Sequence, residues 1–271
     1  MSEGEVKLLP TMRNKRGKEE RDMLYKSIEE ITLNTWPAEQ SILLQGWILR
    51  SAAGYTKRAN SVNPLYGAGA SDDEVRKKIK LAEAYYLDAG LKPVFKITPY
   101  IQPADLDKIL EGFGYSVVEP SSVRVLDLNK LPVANSQYSV QIQNEWSEEW
   151  LEAFAELTEL SDENRRTLKR MFSASTLKQG YALLLKEGVP TACGLGVIQH
   201  GYMGIYDIVT STSHRRQGMG EQLLMGLLHW GKQQGASSSF LQVVLANHGA
   251  CALYDKLGFE EIYQYWYRVR N

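Results

Sequence analysis

Residues 207–220 carry a strand pattern through a polar turn into a helix whose first positions include Gly218 and Gly220. A helix start leaves its first N–H groups unpaired and its positive dipole end exposed, and a residue without a Cβ lets an anion approach those amides closely. The helix repeats apolar residues at Met219, Leu223, Leu224, Leu227 and Leu228 and stops at Gly235, so a strand–turn–helix unit with an anion cradle at its junction is expected. Such junctions also carry glycines for steric reasons alone. A second element downstream sharpens the reading: Asn247, Ala250, Leu253, Tyr254, Leu257, Gly258 and Phe259 lie on a helical stretch between strand patterns at 240–245 and 259–269.

The rest of the second half fits around this unit. A strand at 138–142 precedes a helix capped by Ser147, and strands at 181–186, 191–198 and 202–210 are separated by the turns Glu187-Gly188 and His200-Gly201, an antiparallel meander. In the first half, residues 42–49 read as one buried strand, Ser71 and Glu74 form a capping box for a helix ending at Gly90, 93–98 reads as a strand, 104–111 as a short helix and 116–128 as one or two strands. The chain of 271 residues is long enough for two domains. We expect a charged arm at 1–20, a first domain at 21–130, a linker at 131–137 and a second domain at 138–271. An internal echo supports this division: Ile109, Leu110, Phe113, Gly114 and Tyr115 parallel Leu253, Tyr254, Leu257, Gly258 and Phe259.

Composition excludes several classes. Lys plus Arg (31) and Asp plus Glu (32) nearly cancel, which argues against a general nucleic-acid binder. Cys193 and Cys251 are the only cysteines and have no metal-ligand spacing, so no metal site is expected and both read as buried thiols. No stretch reaches the roughly 18 apolar residues of a membrane span, and the opening lacks a signal peptide's apolar core, so a cytoplasmic protein is expected. Arg165, Arg166, Lys169 and Arg170 form a local basic cluster that reads as a solvated helix face, and His214 and His248 read as exposed turn residues.

Arg215-x-x-Gly218-x-Gly220, with Asn247 and Tyr254 downstream, resembles the GNAT superfamily of N-acetyltransferases from about Tyr138 to the C-terminus. Residues 41–66 are similar to the amino-terminal part of bacterial tandem GNAT proteins. The resemblance implies an α/β (α+β) chain of two GNAT-like domains, each a mixed central sheet flanked by helices. It implies acetyl-CoA as co-substrate, with Ile208, Val209 and Thr210 along the pantetheine arm, Arg215, Arg216, Gln217, Gly218, Met219 and Gly220 around the pyrophosphate, and Asn247 nearby. Tyr254 matches the tyrosine that protonates the departing sulfur. The expected activity is transfer of an acetyl group to the amine of a small molecule, amino acid or peptide in a ternary complex, by a monomer or homodimer. A non-catalytic acyl-CoA sensor is the alternative. Asp207 and Glu159 are the candidate bases, although strand alternation turns Asp207 away from the cleft, and a water chain is a third route.

The first half lacks the glycine motif and has Leu110 where Tyr254 would stand, so it is expected to be degenerate. Its Lys57, Arg58 and Asn60 are expected to face the acceptor cleft. After Gly258 one strand remains, with Tyr263, Tyr265 and Tyr267 on one side and Trp266 on the other. A typical GNAT sheet has one strand more, so the first half is expected to complete it.

Overall fold

A computed structural model describes residues 15–67, 69, 71–131 and 140–270. The first half comprises helix α1 (Lys15–Thr35), the hairpin β1 (Gln40–Leu44) and β2 (Trp47–Ser51), a 3₁₀ turn at Lys57–Ala59, β3 (Val62–Asn63), α2 (Asp72–Asp88), β4 (Val94–Ile97), α3 (Leu106–Gly112) and β5 (Ser116–Asp127). The second half comprises β6 (Val140–Gln143), α4 (Glu148–Thr158), α5 (Asp162–Ser173), β7 (Lys178–Lys186), β8 (Val189–Gln199) and β9 (Tyr202–Thr210). It continues through α6 (Met219–Gln233), β10 (Ser238–Val244), α7 (His248–Lys256) and β11 (Glu260–Val269).

Local chemistry sets these boundaries. Ser147 accepts from the Trp150 N–H at 3.0 Å and starts α4. Glu187 and Gly188, at φ 54° and 80°, fold the β7–β8 hairpin through a two-residue turn whose twist matches the right-handed twist of the strands.

Among the described residues, eleven strands join in one sheet of order β1-β2-β3-β4-β11-β5-β10-β9-β8-β7-β6. The centre of this order is a reciprocal exchange. β5, from the first half, pairs antiparallel with β10 and β11, while β11, from the second half, pairs antiparallel with β4 and β5. Each half thus inserts its last strand between the last two strands of the other. The expected completion of the second sheet is met, and the first sheet is completed in the same way.

One face of the sheet is covered by α1, α4 and α5 over a core shared by both halves, including Ile28, Trp36, Trp150, Phe172, Tyr206, Phe240, Tyr263, Tyr265 and Tyr267. Removing a ring as buried as that of Trp36 costs about 3–5 kcal/mol. On the other face, α6 and α7 cover a core with Leu223, Leu227 and Phe259, and α2 and α3 cover one with Ile79, Phe95 and Leu110. Trp266 packs against this last core, opposite the three tyrosines of its strand, as alternation requires. Across the halves, Glu29 on α1 takes Lys96 Nζ at 2.6 Å and the Tyr263 hydroxyl at 2.7 Å, all three side chains being buried. This network ties α1 to β4 and β11 and fixes their register.

Two expectations are corrected, the single strand at 42–49 and the burial of Cys251, and two others, the arm and the linker, fall largely outside the described residues. Residues 42–49 are not one buried strand: Gln45 and Gly46, at φ 46° and 86°, turn the chain, and the resulting edge strand β1 exposes Leu43 by 72%. The expected arm is helical from Lys15, and its residues 1–14 lie outside the described residues. Residues 132–139, which hold nearly all of the expected linker, also lie outside them, and the last strand-forming stretch before them ends in a 3₁₀ turn at Leu128–Lys130. Cys193 is buried, but Cys251 is only half-buried because α7 presents one side to solvent. No helix among the described residues is long and apolar enough to cross a membrane, and no metal-binding cluster occurs among them.

Candidate active site

β9 and β10 run parallel from Tyr202↔Ser238 to Ile205↔Leu241 and then separate. β9 stays with β8 as far as Thr210↔Ala192, and β10 stays with β5 as far as Val244↔Ser121. A wedge opens between two strands that have no partner for each other.

At the mouth of the wedge β9 bulges. Its register jumps from Leu195↔Tyr206 to Cys193↔Val209, and Asp207 takes φ 51°. A bulge adds a residue and breaks strict alternation. Tyr206 and Val209 pack on the α1 face and Ile208 on the α6 face, while Asp207 lies within the electrostatic reach of Tyr55, Arg58 and Cys193. The bulge therefore keeps Asp207 on the same face as Tyr206, where alternation predicted the opposite. Its Oδ2 is buried with no hydrogen-bond partner among the described residues. Burial pushes the carboxyl up to about 6, against the opposing pull of Arg58.

Beyond Thr210 the chain turns into α6. Gly218 is the N-cap at φ 78°, and Arg216 also has a left-handed φ of 63°. Arg215 Nε donates to the Thr210 carbonyl at 3.4 Å and Gln217 Nε2 to the Ser213 carbonyl at 3.1 Å, so both side chains brace the turn. The N–H groups of Arg216, Gln217, Gly218, Met219 and Gly220 meet no backbone acceptor among the described residues in the hydrogen bonds of turns and caps. A Cβ on Gly220 would stand 3.3 Å from Thr210 Oγ1 and 3.6 Å from Leu253, filling the space between helix and strand. The one carboxylate of the first turn, Glu221, is held by Lys256 at 2.6 Å. Open amides, a compensated carboxylate and a gap that only glycine leaves suit a pyrophosphate. The Met219 side chain itself is buried in the α6 core.

The other expected residues are placed as follows. Tyr254 projects from α7, packs edge-on against Phe259 at 5.8 Å, and leaves its hydroxyl without a hydrogen bond among the described residues. Burial, followed by the nearby Cys251, pushes the phenol up to about 12. Asn247 caps α7 by accepting from the Ala250 N–H at 3.2 Å, so its Oδ1 has a structural task. Glu159 is the exposed left-handed C-cap of α4, and its carboxylate makes no hydrogen bond or ion pair among the described residues. Of the two candidate bases, Asp207 is the one whose charge is coupled to Arg58 beside the wedge.

The first half contributes Arg58, whose guanidinium stacks over Trp36 at 4.4 Å and Tyr206 at 5.5 Å. A cavity of about 300 Å³ adjoins it, lined also by Glu119, Gln242, Val244, Tyr265 and Tyr267. Lys57 reaches this cavity but is paired with Glu119. Asn60 does not face it: the side chain is buried and ties down the turn before the 3₁₀ helix, accepting from the N–H groups of Ala52 and Gly54 at 2.8 and 2.9 Å. Gln242, which lines the cavity, and Trp36 and Tyr206, the core rings beneath Arg58, have no local signal in the sequence, since each takes that place only through contact between the halves. The basic cluster on α5 is an ion-paired surface, with Arg165, Lys169 and Arg170 bound to Glu152, Glu148 and Glu39. His248 is exposed, whereas His214 is half-buried, with Nδ1 3.1 Å from Ser213 Oγ. A wider groove of about 700 Å³ between the end of α1 and α5 contains none of the wedge residues.

Comparison with known proteins matches this geometry. The family model described as "Probable histone acetyltransferase Rv0428c C-terminal" matches residues 25–268. The uncharacterized N-acetyltransferase YobR of Bacillus subtilis (strain 168) is 30% identical over 250 residues, covering 91% of this chain and 98% of the relative. A GCN5-related N-acetyltransferase from Kribbella flavida superposes with a TM-score of 0.69 at 16% identity, over 90% of this chain and 95% of that one. A tandem GNAT protein from the clavulanic acid biosynthesis pathway gives 0.64 at 14% identity, over 89% and 86%. The two structures speak for the fold, and the family match for descent. Both halves, with the strand exchange that joins them, fall within the matched span, and the chain belongs to the Rv0428c C-terminal family of the GNAT superfamily and is an acyltransferase of the acetyltransferase type.

Proposed function

We propose that the chain transfers the acetyl group of acetyl-CoA directly to an amine in a ternary complex, with the second half, 138–271, as the catalytic domain and the first as its degenerate counterpart. The observation that carries this reading is the wedge between β9 and β10, with open amides at one end and an orphan carboxylate, Asp207, at its mouth. Acetyl-CoA supplies an activated acyl carbon on a good leaving group. The amides of residues 216–220 hold its pyrophosphate, Ile208, Val209 and Thr210 line its arm, and Asn247 flanks it.

Asp207 takes a proton from the neutral amine as the C–N bond forms, and Tyr254 gives its proton to sulfur as the C–S bond breaks. Solvent then restores both groups. A carboxyl held near 6 is mostly ionised at neutral pH yet basic enough to accept a proton, and a phenol pushed up to about 12 stays protonated until sulfur needs it. The two groups approach the wedge from opposite faces, Tyr254 with the α6 core and Asp207 with the α1 core.

The test is thermal unfolding with and without acetyl-CoA, followed by thiol release with a panel of amines. Ligand at a hundredfold over its Kd adds about 2.7 kcal/mol, or roughly 5–10 °C for a chain of this size. Gly220→Glu should remove that rise, because its side chain occupies the cradle and repels the pyrophosphate. A wild-type protein that gains nothing from acetyl-CoA would sink the reading.

A further inference from the structure

Besides the buried Tyr267 hydroxyl, three polar groups beside the wedge lack the partners that groups of their kind normally have. Arg58 is the first: its guanidinium lies over the touching rings of Trp36 and Tyr206 and makes no ion pair and no side-chain hydrogen bond among the described residues. Stacking covers one face of the guanidinium but leaves its five in-plane donors unused. Gln242 is the second: its Oε1 accepts from the Tyr265 hydroxyl at 3.1 Å, while its buried Nε2 has no acceptor. Both residues line the cavity of about 300 Å³. Asp207 is the third, with a buried Oδ2 that has no donor.

The protein holds Arg58 in place deliberately in structural terms. Buried Arg50 donates to the carbonyls of Arg58 and Leu33, both at 2.8 Å, and to that of Trp36 at 2.5 Å. One guanidinium thus fixes the backbone on both sides of the Arg58–Trp36 stack. The carboxylate that shares the cavity, Glu119, is already taken by Lys57. Arg58 also exerts its charge on both Asp207 and Tyr254, which puts it beside the reacting atoms rather than at a remote edge.

We infer that the acceptor is a small amine carrying its own carboxylate, an amino acid or close analogue, with the carboxylate held by Arg58 and Gln242 Nε2 and the amine at Asp207. Two unused donors at the cavity, and an unused acceptor at the wedge mouth within the electrostatic reach of Arg58, match the two ends of such a molecule. The volume is of small-molecule scale and does not hold a folded partner. This inference rests on the acetyltransferase reading above and adds the acceptor's class to it.

The experiment compares amino acids with their carboxamides, their decarboxylated amines and amidated peptides, measuring acetyl-CoA-dependent thiol release and, separately, the melting temperature of the CoA-loaded protein. A charge-assisted pair of this kind is worth about 10- to 100-fold, so at least one amino acid should exceed its carboxamide in kcat/KM by that factor and raise the melting temperature where the carboxamide does not. Arg58→Met, which keeps an apolar stem under Trp36, should abolish that preference, so that carboxylate and carboxamide are used alike, and retain the stabilisation by acetyl-CoA. Arg58→Lys should restore part of it. Equal response to carboxylates and carboxamides in the wild-type protein overturns the proposal without needing a variant, as does better use of amidated peptides. Loss of acetyl-CoA stabilisation in Arg58→Met also overturns it, by assigning Arg58 to the donor. Failure of the acetyltransferase reading is separately visible as no acetyl-CoA stabilisation of the wild type.

Discussion

Helices α2 and α6 occupy equivalent places in the two halves, and their N-termini differ in what occupies the helix's positive end. At α2, Glu74 bends back and accepts from both the N–H and the hydroxyl of Ser71, at 2.7 and 2.8 Å, while Asp72 and Asp73 add charge beside it. At α6 the N-cap Gly218 offers no side chain, Glu221 is drawn off by Lys256, and five successive amides have no backbone acceptor among the described residues. The second difference lies one helix later, where α7 offers the hydroxyl of Tyr254 and α3 the wholly buried Leu110. One architecture therefore carries a site in one half and a self-satisfied scaffold in the other. The difference is made by a handful of residues at helix ends, while the strands serve both halves alike.

The halves are unequal in chemistry but equally dependent in folding, and the largest predicted effect tests that. Residues 136–271 expressed alone would leave β10 and β11 without β5 between them, exposing two strand edges and the apolar side chains of the shared core. We expect aggregation or misassembly, seen by size-exclusion chromatography, and recovery of soluble protein when residues 1–130 are co-expressed. A monomeric, cooperatively unfolding fragment would show the exchange to be decoration.

Within the active half, Asp207→Asn should separate activity from stability. Loss of a general base lowers the rate by about 10²- to 10⁴-fold, and the wild-type acid limb with an apparent pKa of about 6 should vanish. Asparagine tolerates the left-handed backbone at this bulge. The carboxyl's pKa is raised from 3.8 to about 6 on folding, so the folded state binds its proton more tightly, and ionisation weakens the fold. Stability from this group accordingly falls as pH rises through that window and is level above it. The variant should be more stable than wild type above pH 6, by up to about 3 kcal/mol, with the gap closing towards pH 4. Tyr254→Phe should cost less, about 10²-fold in rate, because water can still protonate sulfur slowly.

The sequence made the helices, the meander and the cradle legible because each is written locally: Ser71 and Ser147 as caps, Glu187-Gly188 as a turn, Gly218 and Gly220 at a helix start. The family resemblance followed from those residues and Tyr254. It was the non-local features that escaped. Alternation turns Asp207 to the other face because a bulge is one extra residue with no composition of its own, and nothing beside Asn60 in the sequence marks that its carboxamide closes a turn. Residues 42–49 look like one apolar strand because Gln45-Gly46 is a turn written without polar neighbours. The missing strand was inferable from the short tail after Gly258, but its reciprocity required both halves to be seen together.

The smallest effect tests whether the first half's helix start is only a cap. Ser71→Ala removes the hydroxyl that accepts from the Glu74 N–H and that donates to its carboxylate. Loss of such a cap costs about 1 kcal/mol, a drop of roughly 2–4 °C in melting temperature for a chain of this length. Acetyl-CoA should bind with unchanged affinity and with one site per chain by titration calorimetry, since the carboxylates of Asp72, Asp73 and Glu74 remain and still repel a pyrophosphate. A second binding site in the variant would mean that the first half is a blocked donor site rather than a scaffold, and that the capping box is its block.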